Sequence, residues 1–250
     1  MEKTEKQKYK YGLIGKDIEY SFSRNYFTQK FKKLGLSNCV YVNFDYQNIN
    51  EFKTTLKNNT NIKGCNVTIP YKQSIIPFLT SLDAKAKAIG AVNTIKFTEN
   101  GLIGYNTDAY GFKKSIEPHL KKHHKRALIL GTGGASKAVK YVLEELDIIC
   151  TYVSRSPKEN QFTYAELSSS ILKNHTVIVN CTPLGTHPNI TDKPAIPYQY
   201  LTKEHLLFDL IYNPDKTAFL SAGEKQGAAI SNGQHMLEYQ AEESWRIWNS

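Results

Sequence analysis

Residues 126–146, RALILGTGGASKAVKYVLEEL, place an apolar strand, a glycine-rich turn and a helix in direct succession. Ala138, Val142 and Leu146 lie four apart, which is the spacing of one buried helix face. Such a turn lets the backbone approach a pyrophosphate, whose charge is favoured by the free N–H groups of the helix N-terminus. Any tight strand-to-helix turn also favours glycine, and Gly131-Thr132-Gly133-Gly134-Ala135-Ser136 departs from the G-x-G-x-x-G form. The strand before it and the striped helix after it still favour dinucleotide binding.

The next strand, in CTYVSRSPK (150–158), ends in Ser154-Arg155-Ser156. A NAD site would carry an Asp or Glu here, which accepts hydrogen bonds from the ribose hydroxyls. Arginine cannot accept a hydrogen bond, but its planar guanidinium matches a phosphate, and the flanking hydroxyls can donate to the same group. The sequence therefore favours the ribose phosphate of NADP as ligand. The alternative is an ordinary surface arginine at a strand end.

The remaining apolar stretches divide the chain into two regions. After the glycine turn, TYVSR, TVIVN, LLFDLIY and GAAIS alternate with polar or helical segments, which predicts a doubly wound parallel sheet. Before it, YGLIG, CVYVNF and KGCNVTI predict three strands, and Phe27 and Phe31 predict a helix between the first two. Asn100-Gly101 predicts a hairpin, so this region is expected to be a mixed α/β domain. A helix is predicted over 234–248, with Leu237, Ala241 and Trp245 on one face.

Composition narrows the class of protein. The 250 residues are 40% hydrophobic and carry a net charge of +9, which suits anionic ligands. The excess is spread out, and its densest run, 121–126, is interpreted as a solvated loop rather than a nucleic-acid surface. The four cysteines are far apart, the N-terminus lacks an apolar signal segment, and no apolar run approaches the roughly 20 residues that span a bilayer. We expect a cytoplasmic protein with neither a nucleic acid nor a membrane as partner.

Two stretches of the first region carry polar residues that a core would not need. NVTIPYK places Asn66, Thr68 and Lys72 around a strand end, and Asn66 and Thr68 share one side of that strand. NTDAYGF places Asp108 just after the hairpin. A lysine and an aspartate brought together would bind a hydroxyl or ketone and supply a proton. Taken singly, Lys72 is equally an exposed lysine and Asp108 a helix N-cap.

Nine stretches together resemble shikimate dehydrogenases over nearly the whole chain: YGLIG…YSFS, NVTIPYK, GAVNT, YNTDAYGF, GTGGASKAV, SRS, NCTPLGTHP, FDLIYNP and MLEYQAEESW. The resemblance implies a substrate domain at 1–107 and 234–250 and a Rossmann-like NADP domain at 108–233. It implies that the last helix returns to the first domain. The implied activity is reversible reduction of 3-dehydroshikimate to shikimate with NADPH, in the biosynthesis of chorismate and aromatic amino acids.

The resemblance also assigns residues. It makes Lys72 and Asp108 the catalytic pair. The implied substrate-binding residues are Ser21, Ser23, Asn66, Thr68, Asn93, Tyr212 and Gln240. The implied NADP-binding residues are Gly131, Gly133, Gly134, Ala135, Ser154, Arg155, Ser156, Thr182, Leu210 and Gly233. The small-molecule substrate carries a carboxylate and several hydroxyls, for which hydroxyl and amide side chains offer matching hydrogen bonds.

The sequence departs from the family pattern at two positions. Arg24 follows Ser23 where the family usually has proline, and we expect it to face solvent. His235 stands where glycine is common and has no assigned role. His119 and His123 have helical spacing, but no third ligand accompanies them, so no metal is expected. The alternatives are a quinate/shikimate dehydrogenase with relaxed cofactor use and a non-catalytic NADP-sensing protein.

Overall fold

A computed structural model describes residues 8–19 and 21–250, which divide into two compact units. One unit is the chain up to Thr107 together with Ala241–Ser250, and the other is Asp108–Gln240. The chain returns to the first unit between Gln240 and Ala241, inside the last helix, whereas the sequence places this boundary at residue 234. Within the described ranges, no helix is both long and apolar enough to cross a membrane.

The first unit is a mixed α/β domain, as predicted. Its sheet has the order β2-β1-β3-β5-β6-β4, in which β1 is parallel to both β2 and β3, while β5 is antiparallel to β3 and β6. Gly101 opens the second hairpin strand with a φ of +121°, which glycine adopts readily. The elements are β1 (Tyr9–Gly15), α1 (Phe22–Lys33), β2 (Cys39–Asp45), α2 (Glu51–Asn58), β3 (Ile62–Val67), β4 (Ser81–Leu82), α3 (Ala84–Ile89), β5 (Thr94–Thr98) and β6 (Gly101–Tyr105), with a 3-10 turn at Ile76–Phe78.

The second unit has a fully parallel sheet in the order β11-β10-β9-β7-β8, which confirms the doubly wound prediction. Ala127 to Leu130 of β7 are completely buried, as expected for a strand covered on both faces. The elements are α4 (Thr107–Ile116), β7 (Arg126–Leu130), α5 (Gly134–Glu145), β8 (Ile149–Val153), α6 (Ser169–Asn174), β9 (Val177–Asn180), β10 (Leu206–Asp209), α7 (Ala218–Glu224), β11 (Ala229–Ser231) and α8 (Gln234–Trp248), with 3-10 turns at Glu117–His119 and Tyr198–Tyr200.

The last helix, α8, has the predicted bounds, and the residues of its inner face are buried to different degrees. Ala241, Ser244 and Trp248 are buried, while Leu237 and Trp245 lie at the edge of that face and are only partly buried. Ala241 and Trp248 pack in the core of the first unit, among aromatic side chains of β1, α1 and β2. The Trp248 Nε1 donates a hydrogen bond to the Ile95 carbonyl, at 3.0 Å. The C-terminal part of α8 thus belongs to the first unit.

Candidate functional site

The glycine turn at the carboxyl end of β7 leaves space above its backbone. Gly131 has a φ of +96°, and a Cβ there would lie 3.0 Å from the Thr182 methyl group. A Cβ at Gly133 would meet no atom within 4 Å. Gly133 is also the N-cap of α5 and gives its N–H groups no side-chain cap. The Ser136 hydroxyl donates to the Gly133 carbonyl at 2.7 Å and holds the turn.

These features fit a bound dinucleotide. The uncapped N–H groups of α5 and its helix dipole favour an anion. The free space over Gly133 lets a pyrophosphate approach the backbone closely. Gly134 and Ala135 form the first turn of α5 and present the N–H groups concerned.

Ser154, Arg155 and Ser156 follow β8, which pairs in parallel with β7. The Ser154 N–H donates to the Phe162 carbonyl at 2.9 Å, and the Ser154 hydroxyl accepts from the Ser156 N–H at 3.2 Å. Arg155 is exposed and has no hydrogen bond or ion pair with any residue that the structure describes. Burial raises the pKa of Tyr164, and the charge of Arg155 opposes that rise. An ordered loop therefore presents an unpaired guanidinium beside the glycine turn.

Three further predicted cofactor residues, Thr182, Leu210 and Gly233, follow β9, β10 and β11 of the same unit. Thr182 donates its hydroxyl to Asn180 Oδ1 at 2.7 Å, and its methyl group faces Gly131. Gly233 donates its N–H to the Ile211 carbonyl, and a Cβ at Gly233 would overlap the Leu210 carbonyl. Gly233 is therefore required by the close approach of two backbone segments.

Two residues that were not predicted, Asn180 and Asp209, fix this edge of the sheet. Asp209 accepts hydrogen bonds from the Thr217 hydroxyl at 2.6 Å, the Asn180 amide at 3.0 Å and the Ile211 N–H at 3.1 Å. Burial raises its pKa to about 6, although these three hydrogen bonds act in the opposite direction. The signal in the sequence was a polar residue at the end of each of two apolar strands, VIVN and LLFD.

Two predicted substrate residues of the first unit, Asn66 and Asn93, lie together in its interior. Only 4% of Asn66 and 2% of Asn93 is exposed. The Asn66 amide donates to Ser244 Oγ at 2.9 Å, and its oxygen accepts from the Tyr41 hydroxyl at 2.8 Å. The Asn93 amide donates to Thr107 Oγ1 at 2.9 Å. Both side chains are thus held by interior hydrogen bonds.

Tyr41, Thr94 and Ser244 belong to this cluster and were not predicted. Burial raises the pKa of Tyr41 well above its usual value, so its hydroxyl stays protonated. The Ser23 side chain acts in the opposite direction and lowers the pKa of Tyr41. The available signal was Ser244 itself, a hydroxyl residue between the buried Ala241 and Trp248 of α8.

Ser21 and Arg24 lie at the start of α1 and line one cavity of about 350 Å³, together with Glu19, Asn25, Thr28 and Tyr41. Ser21 Oγ is buried without a hydrogen-bond partner among the described residues, and it does not cap the helix. Arg24 is exposed, as expected, and its guanidinium donates to the Glu19 carbonyl at 3.3 Å. The Ser21 hydroxyl remains available to a ligand.

Thr68 and Lys72 follow β3 and are both partly buried. The Thr68 N–H donates to the Ile14 carbonyl at 2.8 Å, while its hydroxyl has no hydrogen bond to any residue in the described ranges. The Lys72 carbonyl accepts from the Val92 N–H at 2.7 Å, which ties this segment to the residue before Asn93. These two hydrogen bonds therefore fix the backbone at Thr68 and at Lys72, just after the end of β3.

Three predicted site residues, Asp108, Tyr212 and Gln240, lie in the second unit. Asp108 is buried in the first turn of α4, rather than preceding that helix as an N-cap. A Cβ at Gly111 of α4 would press on the Met236 carbonyl and on Gln240, so the glycine allows α4 and α8 to pack closely. Burial raises the pKa of Tyr212. His235 is exposed, 3.6 Å from Glu238, and takes no part in these contacts.

Comparisons with known proteins identify the family of the chain. The model of the shikimate dehydrogenase substrate binding domain matches residues 13–95. The "Shikimate dehydrogenase (NADP(+))" of Methanococcus maripaludis is 39% identical over 258 residues, covering 95% of this chain and 90% of the relative. A crystal structure of shikimate dehydrogenase in complex with NADP+ superposes with a TM-score of 0.85 at 34% identity, over 96% of this chain and 90% of that one.

The shikimate 5-dehydrogenase of Thermus thermophilus, solved with NADP(H) and shikimate, gives a TM-score of 0.84 at 26% identity over 96% of this chain and 93% of that one. Identity above 30% over nearly the full length of a relative confirms the resemblance found in the motifs. The chain belongs to the shikimate dehydrogenase family.

Proposed function

We propose that this protein is an NADP-dependent shikimate dehydrogenase that interconverts 3-dehydroshikimate and shikimate. One observation carries the proposal. The parallel pairing of β7 and β8 puts the open glycine turn and the exposed Arg155 at the carboxyl ends of adjacent strands. A dinucleotide with a ribose phosphate meets both features at once.

The second unit would hold NADP through separate contacts. The N–H groups at the start of α5 would bind the pyrophosphate. Arg155 would bind the ribose phosphate, with the hydroxyls of Ser154 and Ser156 as additional donors. Thr182, Leu210 and Gly233 would line the region of the nicotinamide. Bound NADPH would supply the hydride for reduction of the ketone.

The first unit would bind the substrate through hydroxyl and amide groups. Ser21 and Thr68 support this assignment, because their hydroxyls lack partners among the described residues. Asn66 and Asn93 support it because they belong to one hydrogen-bonded cluster, and the resemblance adds Ser23. Tyr212 and Gln240 complete the proposed set.

Lys72 and Asp108 are the proposed catalytic residues, by the match of their motifs to the family. Reduction builds negative charge on the ketone oxygen, and a lysine ammonium hydrogen-bonded to that oxygen would stabilise it. Asp108 would orient Lys72 and the substrate hydroxyl. Lys72→Met would then lower kcat by about a thousandfold, within the range for a lost transition-state donor, and leave the NADP affinity unchanged.

The experiment follows nicotinamide absorbance with shikimate or quinate as substrate and NADP or NAD as cofactor. We expect rapid reduction of NADP with shikimate. Efficient turnover of quinate, or of NAD as readily as NADP, would replace the proposal with the relaxed quinate/shikimate enzyme. No turnover by folded protein with any pair would replace it with the NADP-sensing protein.

The sequence also leads us to propose a domain division at 107/108, chorismate and aromatic amino acid biosynthesis as the pathway, and a cytoplasmic location. All four cysteines, Cys39, Cys65, Cys150 and Cys181, have pKa values raised by burial, which keeps them as neutral thiols. Their state is consistent with a reducing compartment. No nucleic acid or membrane partner is proposed.

A further inference from the structure

The two asparagines proposed to hold the substrate share one buried set of hydroxyl groups, from Thr94, Thr107 and Ser244. Ser244 Oγ lies 2.9 Å from Asn66 Nδ2, 2.8 Å from Thr94 Oγ1 and 3.1 Å from Thr107 Oγ1. Thr107 Oγ1 accepts from Asn93 Nδ2 at 2.9 Å. The three hydroxyl residues are at most 1% exposed, so water does not compete for these groups.

Backbone groups fix which way each carboxamide faces. The Thr107 N–H can only donate, and it lies 2.6 Å from Asn93 Oδ1. The Asn93 carbonyl can only accept, and it lies 3.3 Å from Asn66 Nδ2. Asn66 therefore turns its oxygen toward Tyr41 and its amide toward Ser244. The orientation follows from the chemistry of the partners.

Ser244 connects the two asparagines. Its oxygen accepts from the Asn66 amide and lies within hydrogen-bonding distance of the Thr94 and Thr107 hydroxyls, where either member of each pair can be the donor. Thr107 in turn can donate to Asn93 Oδ1 at 3.2 Å. A chain of hydrogen bonds thus runs from Asn66 through a residue of the last helix to Asn93.

An alanine would fill the place of Ser244 equally well for packing alone. It has the higher helix propensity, and the neighbouring position on this face, Ala241, is already alanine. A buried hydroxyl stabilises the fold only through its hydrogen bonds. The distinctive contribution of Ser244 is therefore the orientation of its hydrogen-bond partners.

We propose that Ser244 is a positioning residue for the substrate, which holds Asn66 and, through Thr107, Asn93 in their binding orientation. The inference rests on the proposed function and adds to it a residue of the C-terminal helix that acts through others. So little of either asparagine is exposed that its orientation decides which atom a ligand meets. The last helix thereby takes part in substrate recognition.

The test compares Ser244→Ala with Trp248→Phe in the full-length protein. The control removes a hydrogen bond from the same helix to the same sheet, that of Trp248 Nε1 to Ile95, without touching the cluster. We expect Ser244→Ala to raise the KM for shikimate about tenfold, the usual effect of one lost hydrogen bond, with the KM for NADP unchanged. Trp248→Phe is expected to leave both values at the wild-type level. Urea unfolding of both variants gives the stability change.

Two results would overturn the inference while the proposed function stands. One is a wild-type KM for shikimate in Ser244→Ala. The other is an equal rise in both variants, which would indicate a general effect of a loosened helix. A wild type that does not turn over shikimate would remove both the function and the inference. Should Ser244→Ala fail to fold, Thr94→Val removes the hydroxyl at 2.8 Å from Ser244 with little change in shape and carries the same expectation.

Discussion

Replacing Gly133 by alanine should separate cofactor binding from folding. The residue has φ −75° and ψ −177°, a conformation open to any amino acid, and a Cβ there would meet no atom within 4 Å. Alanine stabilises by restricting the unfolded chain, by about 0.4–1 kcal/mol, but it is a poorer N-cap than glycine by a similar amount. The free energy of unfolding should therefore stay within about 1 kcal/mol of the wild type.

The effect on NADP should be much larger. The added methyl group would occupy the space through which a pyrophosphate reaches the N–H groups of α5. Two weakened hydrogen bonds to a charged group, at about 1.5 kcal/mol each, amount to about 3 kcal/mol, or a factor of about 100 in Kd. The affinity for shikimate should not change, because Gly133 is not among the residues proposed to contact the substrate.

Gly131→Ala is the matched control in the same turn. Gly131 has a φ of +96° and lies against Thr182, so alanine should cost about 1–3 kcal/mol of stability through backbone strain. Calorimetric titration with NADP and urea denaturation would be measured for both variants. A Gly133→Ala protein that binds NADP like the wild type, or that loses more than about 2 kcal/mol of stability, would refute the reasoning.

Three other changes test separate parts of the structure. Arg155→Asp should weaken the affinity for NADP about 10- to 100-fold by losing a charged hydrogen bond, and the affinity for NAD should rise. Steady-state KM values that change in the same direction for both cofactors would contradict this. Gly64→Ala should lower the free energy of unfolding by about 1–3 kcal/mol, because the new Cβ overlaps the Trp248 indole; an unchanged urea midpoint would contradict it. The Asp209 carboxyl has a pKa of about 6 in the folded protein, above the unfolded value of 3.8. Its contribution to stability is therefore fully present below pH 3.8 and is lost as the pH rises through 6. Relative to Asp209→Asn, the wild type should therefore lose stability between pH 4 and 7 in denaturation experiments, and a difference that does not change with pH would show that the carboxylate does not titrate there.

Much of the fold was predictable from the sequence because its signals are local. The period of Phe27 and Phe31, the Asn100-Gly101 pair and the glycine turn each act over a few residues, and each gave the correct element. On α8 the spacing predicts that Leu237, Ala241 and Trp245 share one face, but only Ala241 is fully buried and the other two are partly buried. An apolar stripe wider than the contact surface cannot show which of its rows is buried.

Polar partners were predicted only in part, because they join residues that are distant along the chain. Asn66 was found from its own strand, but its partner Ser244 is 178 residues away. No spacing rule connects a strand residue to a hydroxyl on a helix that the chain reaches only after completing a second unit. The serine between the buried Ala241 and Trp248 was a local trace of that partnership, since an unpaired hydroxyl would be costly to bury there. A polar residue within an apolar period should therefore be interpreted as evidence of a partner elsewhere in the sequence, to be sought among other polar residues at the ends of buried strands.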